Sequence, residues 1–269
     1  MNMFILDNEI VIRLGFFLGF LIIMASWETI APRRTMSMPR VTRWVNNFLI
    51  TILNSVAIKF AFPATATMLA LDFEMKGYGI LNIIKTSSLF GGLLAVVIFD
   101  LAIYTQHVAF HRVPIFWRLH RMHHIDLDID VTTGARFHTL EILLSMAIKM
   151  GIIALIGAPA WSVLTFEILL NATSMFNHGN VLINPSIDHI LRLLLVTPDM
   201  HRVHHSVIIR ETNSNYGFNF PWWDRLFGTY IDQPLRGHDA MTVGLANYRN
   251  RKFLTLPWML AVPFLSKER

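Results

Sequence analysis

The chain has 269 residues, of which 54% are hydrophobic and only 15% are charged, where an ordinary soluble domain carries roughly 25% charged residues. A mean hydropathy of +0.46, with apolar residues in long runs, argues against a soluble globule, a disordered chain and a coiled coil. The absence of cysteine removes disulfide scaffolds, zinc-thiolate sites, Cys-ligated iron–sulfur clusters and cysteine nucleophiles, and the net charge of +5 fits Arg and Lys gathered on cytoplasmic membrane rims better than nucleic-acid binding.

Ile10–Ala31 is the first apolar stretch, with Arg13 its one early charge. It opens with Asp7 and Glu9 and ends at Trp27-Glu28, lacking both the basic start and the small-residue cleavage site of a signal peptide, so a retained helix is expected. Phe48–Leu71 follows, with Lys59 as its single charge and Pro63 as an expected kink. Ser88–His107 is a third stretch, interrupted only by Asp100. Leu140–Phe176 is too long for one span and breaks at Gly157-Ala158-Pro159. The two halves, each about 17 residues, are at the lower limit for crossing ~30 Å of hydrocarbon and predict a helical hairpin. Phe253–Leu265 is short, contains Pro257 and Pro263, and is expected to lie at the membrane interface.

The expected fold is an all-α integral membrane protein of about five embedded helices, three spans plus the short hairpin, with a histidine-rich cytoplasmic cap. The chain reads as one membrane domain. Residues 1–87 hold the N-terminal helices, 88–235 the histidine-bearing region and 236–269 a C-terminal interfacial tail. The loop at 32–44 holds Arg33, Arg34, Arg40 and Arg43 without an acid, and Arg112, Arg118 and Arg121 follow the third helix. Positive charge inside then puts the N-terminus outside and residues 32–44, 108–138 and 177–269 in the cytoplasm. Trp27, Trp44 and Trp161 fall at predicted span ends.

The twelve histidines are clustered. His107 and His111 are four apart and stack on one helix face. His120, His123 and His124 sit at i, i+3 and i+4, again one face, and His201, His204 and His205 repeat that pattern. Neutral imidazole ligates iron, copper, zinc or nickel, and these eight rings exceed what one ion needs, so two nearby metals fit the count. His178 ends the hairpin on the same side, and all nine rings are expected to converge at one cytoplasmic membrane edge. His189 and His238 read as ordinary hydrogen-bonded residues, while His138 reads equally as a ligand, a supporting donor or a surface residue.

These spacings, with the stretches HRVPIFWRLHRMHH, DVTTGARFHTLE, TPDMHRVHHS, ETNSNYG and WWDRLFGTY, resemble the three histidine boxes of the fatty acid hydroxylase superfamily, also called the sterol desaturase family. The resemblance runs from about Asp100 to Tyr230. It implies a membrane-bound, non-haem di-iron centre using O2 and two electrons to hydroxylate or desaturate an unactivated C–H position of a lipid. Relatives often follow the histidine matching His138 with proline, whereas this chain has Thr139. Asp126, Asp128 and Asp130 read as solvated or supporting carboxylates rather than ligands. Residues 1–269 show no fused haem-binding or dinucleotide motif. Electrons are therefore expected from a separate cytochrome b5-like or ferredoxin-like partner on the basic cytoplasmic surface. A bacterial inner membrane is the expected location.

The alternative classes are a zinc hydrolase and a metal-binding or transport protein using the same histidines. HExxH is absent, and neither an inverted repeat nor midplane ligands are visible. Two further expectations concern charge. Trp222, Trp223, Asp224 and Arg225 should shape the cap, with Asp224 and Arg225 paired locally. Asp100, Lys149 and Glu167 each lie eleven residues from a histidine of their helix or its boundary, about 16 Å along a helix axis. Lys149 should pair with Glu167, Asp100 or both, and Asp100 could reach the histidines through Tyr104.

Overall fold

The computed structural model describes residues 2–266, with side chains from Asn8 onward, so Asp7 lies outside the described side chains. Twelve helices carry the architecture relevant here. α1 (Asn2–Ile30) and α2 (Arg40–Ala61) are long and apolar. α3 (Ala66–Lys76) and α4 (Ile80–Ile83) are short. α5 (Ser88–Arg112) leads into α6 (Pro114–His124), and a 3-10 turn at Val131–Ala135 precedes α7 (Thr139–Ile156) and α8 (Ala160–Asn177). Four short helices follow: α9 (Pro185–Leu191), α10 (Pro198–His204), α11 (Ile209–Thr212) and α12 (Trp222–Leu226). The described residues form helices and turns, with only two isolated β-bridges.

Four segments are long and apolar enough to cross a membrane: Asn8–Ile30, Arg40–Ile83, Ser88–Arg112 and Thr139–Ile156. Their outward side chains are large and apolar, including Ile22, Ile52, Phe60, Leu89 and Leu155, as hydrocarbon contact requires. The second stretch is broken and not merely kinked at Pro63. α2 stops at Ala61, and Thr65 caps α3 by accepting from Met68 N. α3 then packs on both α7 and α8, with Ala66 and Ala70 buried among Phe99, Ile153 and Phe166. The predicted hairpin does turn at Gly157, but α3 inserts between its arms. Gly79 explains the close approach there: a Cβ on it would lie 2.3 Å from Gly157 N, and both glycines hold positive φ.

The C-terminal stretch is not a free surface tail. Phe253, Leu254, Met259 and Val262 are buried, and Arg121 donates to the carbonyls of Val262 and Leu265. Pro257 and Pro263 shape this docking by starting short helical turns.

The pairing of Lys149 and Glu167 is present at 2.6 Å, but Asp100 takes no part in it. Glu167 also accepts from Arg13, whose guanidinium bonds Glu9 and Thr67, so α1, α3, α7 and α8 meet in one charge-balanced network. A cavity of about 520 Å³ between α1, α2 and α8 has Arg13 and Glu167 in its wall, and no histidine lines it.

Candidate metal centre

Nine imidazoles come together in the interior. His107, His111, His120, His124 and His204 form one group, and His123, His178, His201 and His205 a second. Within each group the candidate ligand atoms all lie within 4.8 Å of one another, and every ring is buried. Each H-x-x-H-H box divides its rings between the groups. His120 and His124, one helical turn apart, enter the first group while His123 enters the second; His201 and His205 enter the second while His204 crosses to the first. The groups touch, with His124 and His205 ring centroids 4.5 Å apart.

The orientation of the rings is set by their Nδ1 atoms. His107 donates to Tyr216 O at 2.8 Å, His123 to Arg136 O at 3.0 Å, His178 to Ser174 O at 2.8 Å and His204 to Ser214 O at 2.7 Å. His120 Nδ1 lies 2.6 Å from Glu141 Oε1. The Nε2 atoms therefore point inward. His107 and His120 Nε2 are 3.1 Å apart, as are those of His123 and His178. A neutral imidazole has one N–H, and in these four rings it is spent on Nδ1. Two inward lone pairs at that separation repel unless a cation sits between them. Nitrogen ligands at ~2.0–2.1 Å on one ion are roughly 3 Å apart when at right angles, so the donor set fits a transition metal in each group. His205, with both ring nitrogens buried and lacking hydrogen-bond partners among the described residues, fits the same conclusion.

Burial and the neighbouring imidazoles hold His123, His124, His201 and His205 well below the ordinary histidine value. Burial pushes His178 down to about 4, partly offset by its bond to Ser174 O. All five are thus neutral and ligand-competent at neutral pH. Phe137 stacks on His123 at 4.5 Å and Tyr216 lies edge-on to His111 at 5.1 Å, so the rings sit in an aromatic shell.

His138 lies outside both groups. Its Nδ1 caps α7 by accepting from Leu140 N, and its Nε2 donates to Leu260 O. Asp100 accepts from Trp223 Nε1 at 2.7 Å and from Asn219 N at 3.3 Å. Tyr104 bonds Thr229 and lies edge-on to Tyr216. The connection from Asp100 to the rings therefore runs through the 216–224 segment and not through Tyr104 alone. Asp224 is buried and accepts from Tyr216 N, Gly217 N and Thr229 Oγ1, which fixes the carbonyl that holds His107. The expected pairing with Arg225 is replaced. Arg225 lies over the Tyr230 ring and donates to Arg192 O, while two backbone amides and the Thr229 hydroxyl engage Asp224.

Asp126 and Asp130 are not solvated. Both are buried against Arg43 of α2, and Asp128 accepts from Ser37 and Met38. Burial raises Asp126, but Arg43 and Arg136 together bring it below the usual carboxylate range. This network braces the 125–136 segment beside the second group. Glu141 and Arg43 escape a reading by histidine spacing. Glu141 stands three residues after His138 in HTLE, with no metal motif around it, and Arg43 resembles any basic rim residue.

The region that carries all nine rings, residues 92–229, matches the family model for fatty acid hydroxylase over just over half the chain. The chain belongs to the fatty acid hydroxylase family. It is 31% identical over 177 residues to the ornithine lipid hydroxylase OlsE of Rhizobium tropici, covering 66% of this chain and 51% of that protein. It is also 31% identical over 132 residues to the alkylglycerol monooxygenase of Homo sapiens, covering 49% and 28%, and over 134 residues to that of Xenopus tropicalis, covering 50% and 29%. The chain thus spans about half or less of the length of these curated relatives. No solved structure gives a significant match. Family membership and the long apolar helices together make this a multi-pass membrane protein.

Proposed function

We propose that the chain is an O2-dependent lipid hydroxylase whose nine clustered histidines hold two iron ions. The observation that carries this reading is the inward facing of Nε2 lone pairs in two touching, fully buried groups. The named activities of the relatives, lipid hydroxylation and alkylglycerol monooxygenation, support the substrate class and favour hydroxylation over desaturation. Iron bound there would supply reduction of O2 by two external electrons and attack on an unactivated C–H bond, giving an alcohol and water.

The chain's own residues do the rest. The backbone carbonyls of Tyr216, Arg136, Ser174 and Ser214 and the Glu141 carboxylate fix the rings in one tautomer, and a preset ligand frame needs no reorganisation when the metal enters. Phe110, Trp117, Phe137 and Phe218 surround the rings and exclude water. The reading keeps residues 1–87 as a membrane anchor, 88–235 as the catalytic region and the metal centre on the cytoplasmic side, with a separate electron donor docking there.

Metal analysis of purified protein, anaerobic reduction and exposure to O2, with lipid products followed by mass spectrometry, tests the proposal. Two irons per chain and an O2-dependent hydroxylated lipid are expected. Redox-silent zinc in an active preparation would overturn the proposal.

A further inference from the structure

Glu141 stands apart among the groups that hold the imidazoles. Of the five clustered rings whose Nδ1 partner is described above, four use a backbone carbonyl and His120 alone uses a carboxylate. Glu141 lies in the first turn of α7 and is 3% exposed. Its second oxygen, Oε2, is buried with no hydrogen-bond partner among the described residues. His120 is also the hub of its group, with Nε2 3.1 Å from His107 Nε2 and 3.2 Å from His124 Nε2.

The charge balance makes this contact consequential. Both candidate ligand groups consist of imidazole side chains alone, so two divalent ions would bring four positive charges into a buried volume without an anionic ligand. The other buried acids nearby are already engaged. Asp126 and Asp130 pair with Arg43, Asp224 accepts from backbone amides, and Asp100 accepts from Trp223 and Asn219. A half-satisfied buried carboxylate is a liability in the metal-free protein. A cation on the far side of His120 removes that liability, since the carboxylate polarises Nδ1–H and strengthens Nε2 as a donor.

Resting on the two-metal reading above, we propose that Glu141 is a positioning and charge-compensating residue for the five-histidine group, and that it makes this group the tighter and first-loaded of the two. It touches neither substrate nor metal; it acts through His120. The four-histidine group has only carbonyl partners at the Nδ1 atoms described, and fills second.

The test is titration of the full-length, chelator-treated protein in nanodiscs with cobalt chloride, read by the visible d–d bands and by calorimetry. Wild type should take up two equivalents in two steps, and His111→Ala should remove the tighter one, which assigns it. Glu141→Gln keeps the shape and an acceptor but removes the charge. It should weaken the tight step by about 10–100-fold and shift its d–d bands, leaving the second step within about twofold. Glu141→Asp, which restores the charge, should recover part of the loss. A purely structural role predicts the reverse pattern: thermal stability of metal-free Glu141→Gln falls while its tight step is unchanged. In the proposal, that metal-free variant is at least as stable as wild type. An unaltered tight step in Glu141→Gln overturns the role of Glu141, whereas uptake of a single equivalent by wild type overturns the two-metal reading itself.

Discussion

Lys149 Nζ lies 2.6 Å from Glu167 Oε1, joining α7 to α8. Arg13 reaches the other oxygen of the same carboxylate from α1 and is itself held by Glu9. Two acids thus balance two bases, and Glu167 is the shared acceptor. Removing one partner of a buried pair costs about 3–5 kcal/mol when the other is left uncompensated. Glu167→Gln leaves Lys149 without its acid and should be the most damaging single change. Lys149→Met leaves Glu167 with Arg13 and should cost less, and less again in the Glu167→Gln background. Unfolding midpoints in detergent should return a coupling of roughly 0.5–3 kcal/mol between the two sites. Additive effects would mean that the contact contributes nothing.

Acid should weaken the metal-free protein over a defined window. His178 is held at about 4, and His123, His124, His201 and His205 also lie well below the ordinary value near 6.5. In the unfolded chain these rings protonate first, so below pH 6.5 the unfolded state binds more protons and stability falls as pH falls. The contribution is complete above 6.5 and, for His178, is lost down through about 4. Asp224 works in the opposite direction. Burial pushes it up to about 6, so it favours the folded state as pH falls from there towards its unfolded value. Set against these five imidazoles, Asp224 leaves the slope from the metal-site rings positive. Thermal midpoints of chelator-treated protein from pH 7.5 to 4 check this; a flat profile refutes it.

Eight of the nine rings were legible because their spacing is local: i, i+3 and i+4 put side chains on one helix face whatever the rest of the fold does, while His178 was read from its place at the end of the hairpin. Their division into groups of five and four was not, since it depends on how α6 and α10 approach each other. Glu141 and Arg13 were invisible for a related reason. Glu141 acts on a ring 21 residues away, and Arg13 on a carboxylate 154 residues away, and no periodicity encodes either contact. Pro63 announced a kink, whereas the helix breaks there; where the next helix goes is settled by the small side chains of Ala66 and Ala70, which let α3 seat against α7 and α8. His138 was ambiguous because a histidine before a helix can cap as well as ligate, and here it caps.

Gly134 tests how tightly the second group depends on its support. A Cβ there would meet Ser174 O at 2.5 Å, where the 3-10 turn crosses α8. Gly134→Ala must push the turn away, and Arg136, whose carbonyl holds His123, moves with it. Overpacking of this kind costs about 1–3 kcal/mol. The expected result is loss of one metal equivalent per chain, from the four-histidine group, with the first retained. Retention of two equivalents would show that the turn yields without disturbing His123.

The 214–230 segment supplies the complementary test on the first group. Asp224 accepts from the amides of Tyr216 and Gly217 and from Thr229, and Tyr216 O accepts from His107. Asp224→Ala strands two buried amides, each costing about 1–3 kcal/mol, and frees the carbonyl that sets the His107 tautomer. Metal should then be lost selectively from the five-histidine group, and the 214–230 segment should become open to protease. Trp223→Phe removes only the indole donor to Asp100, a charge-assisted bond contributing about 1.5–3 kcal/mol. It leaves Asp224 and its three donors in place, so this variant should lower the melting temperature yet keep both metal equivalents. The contrast separates general stability from control of the ligand frame. If Asp224→Ala keeps full metal while destabilised as much as Trp223→Phe, the segment merely covers the site and His107 is oriented without it.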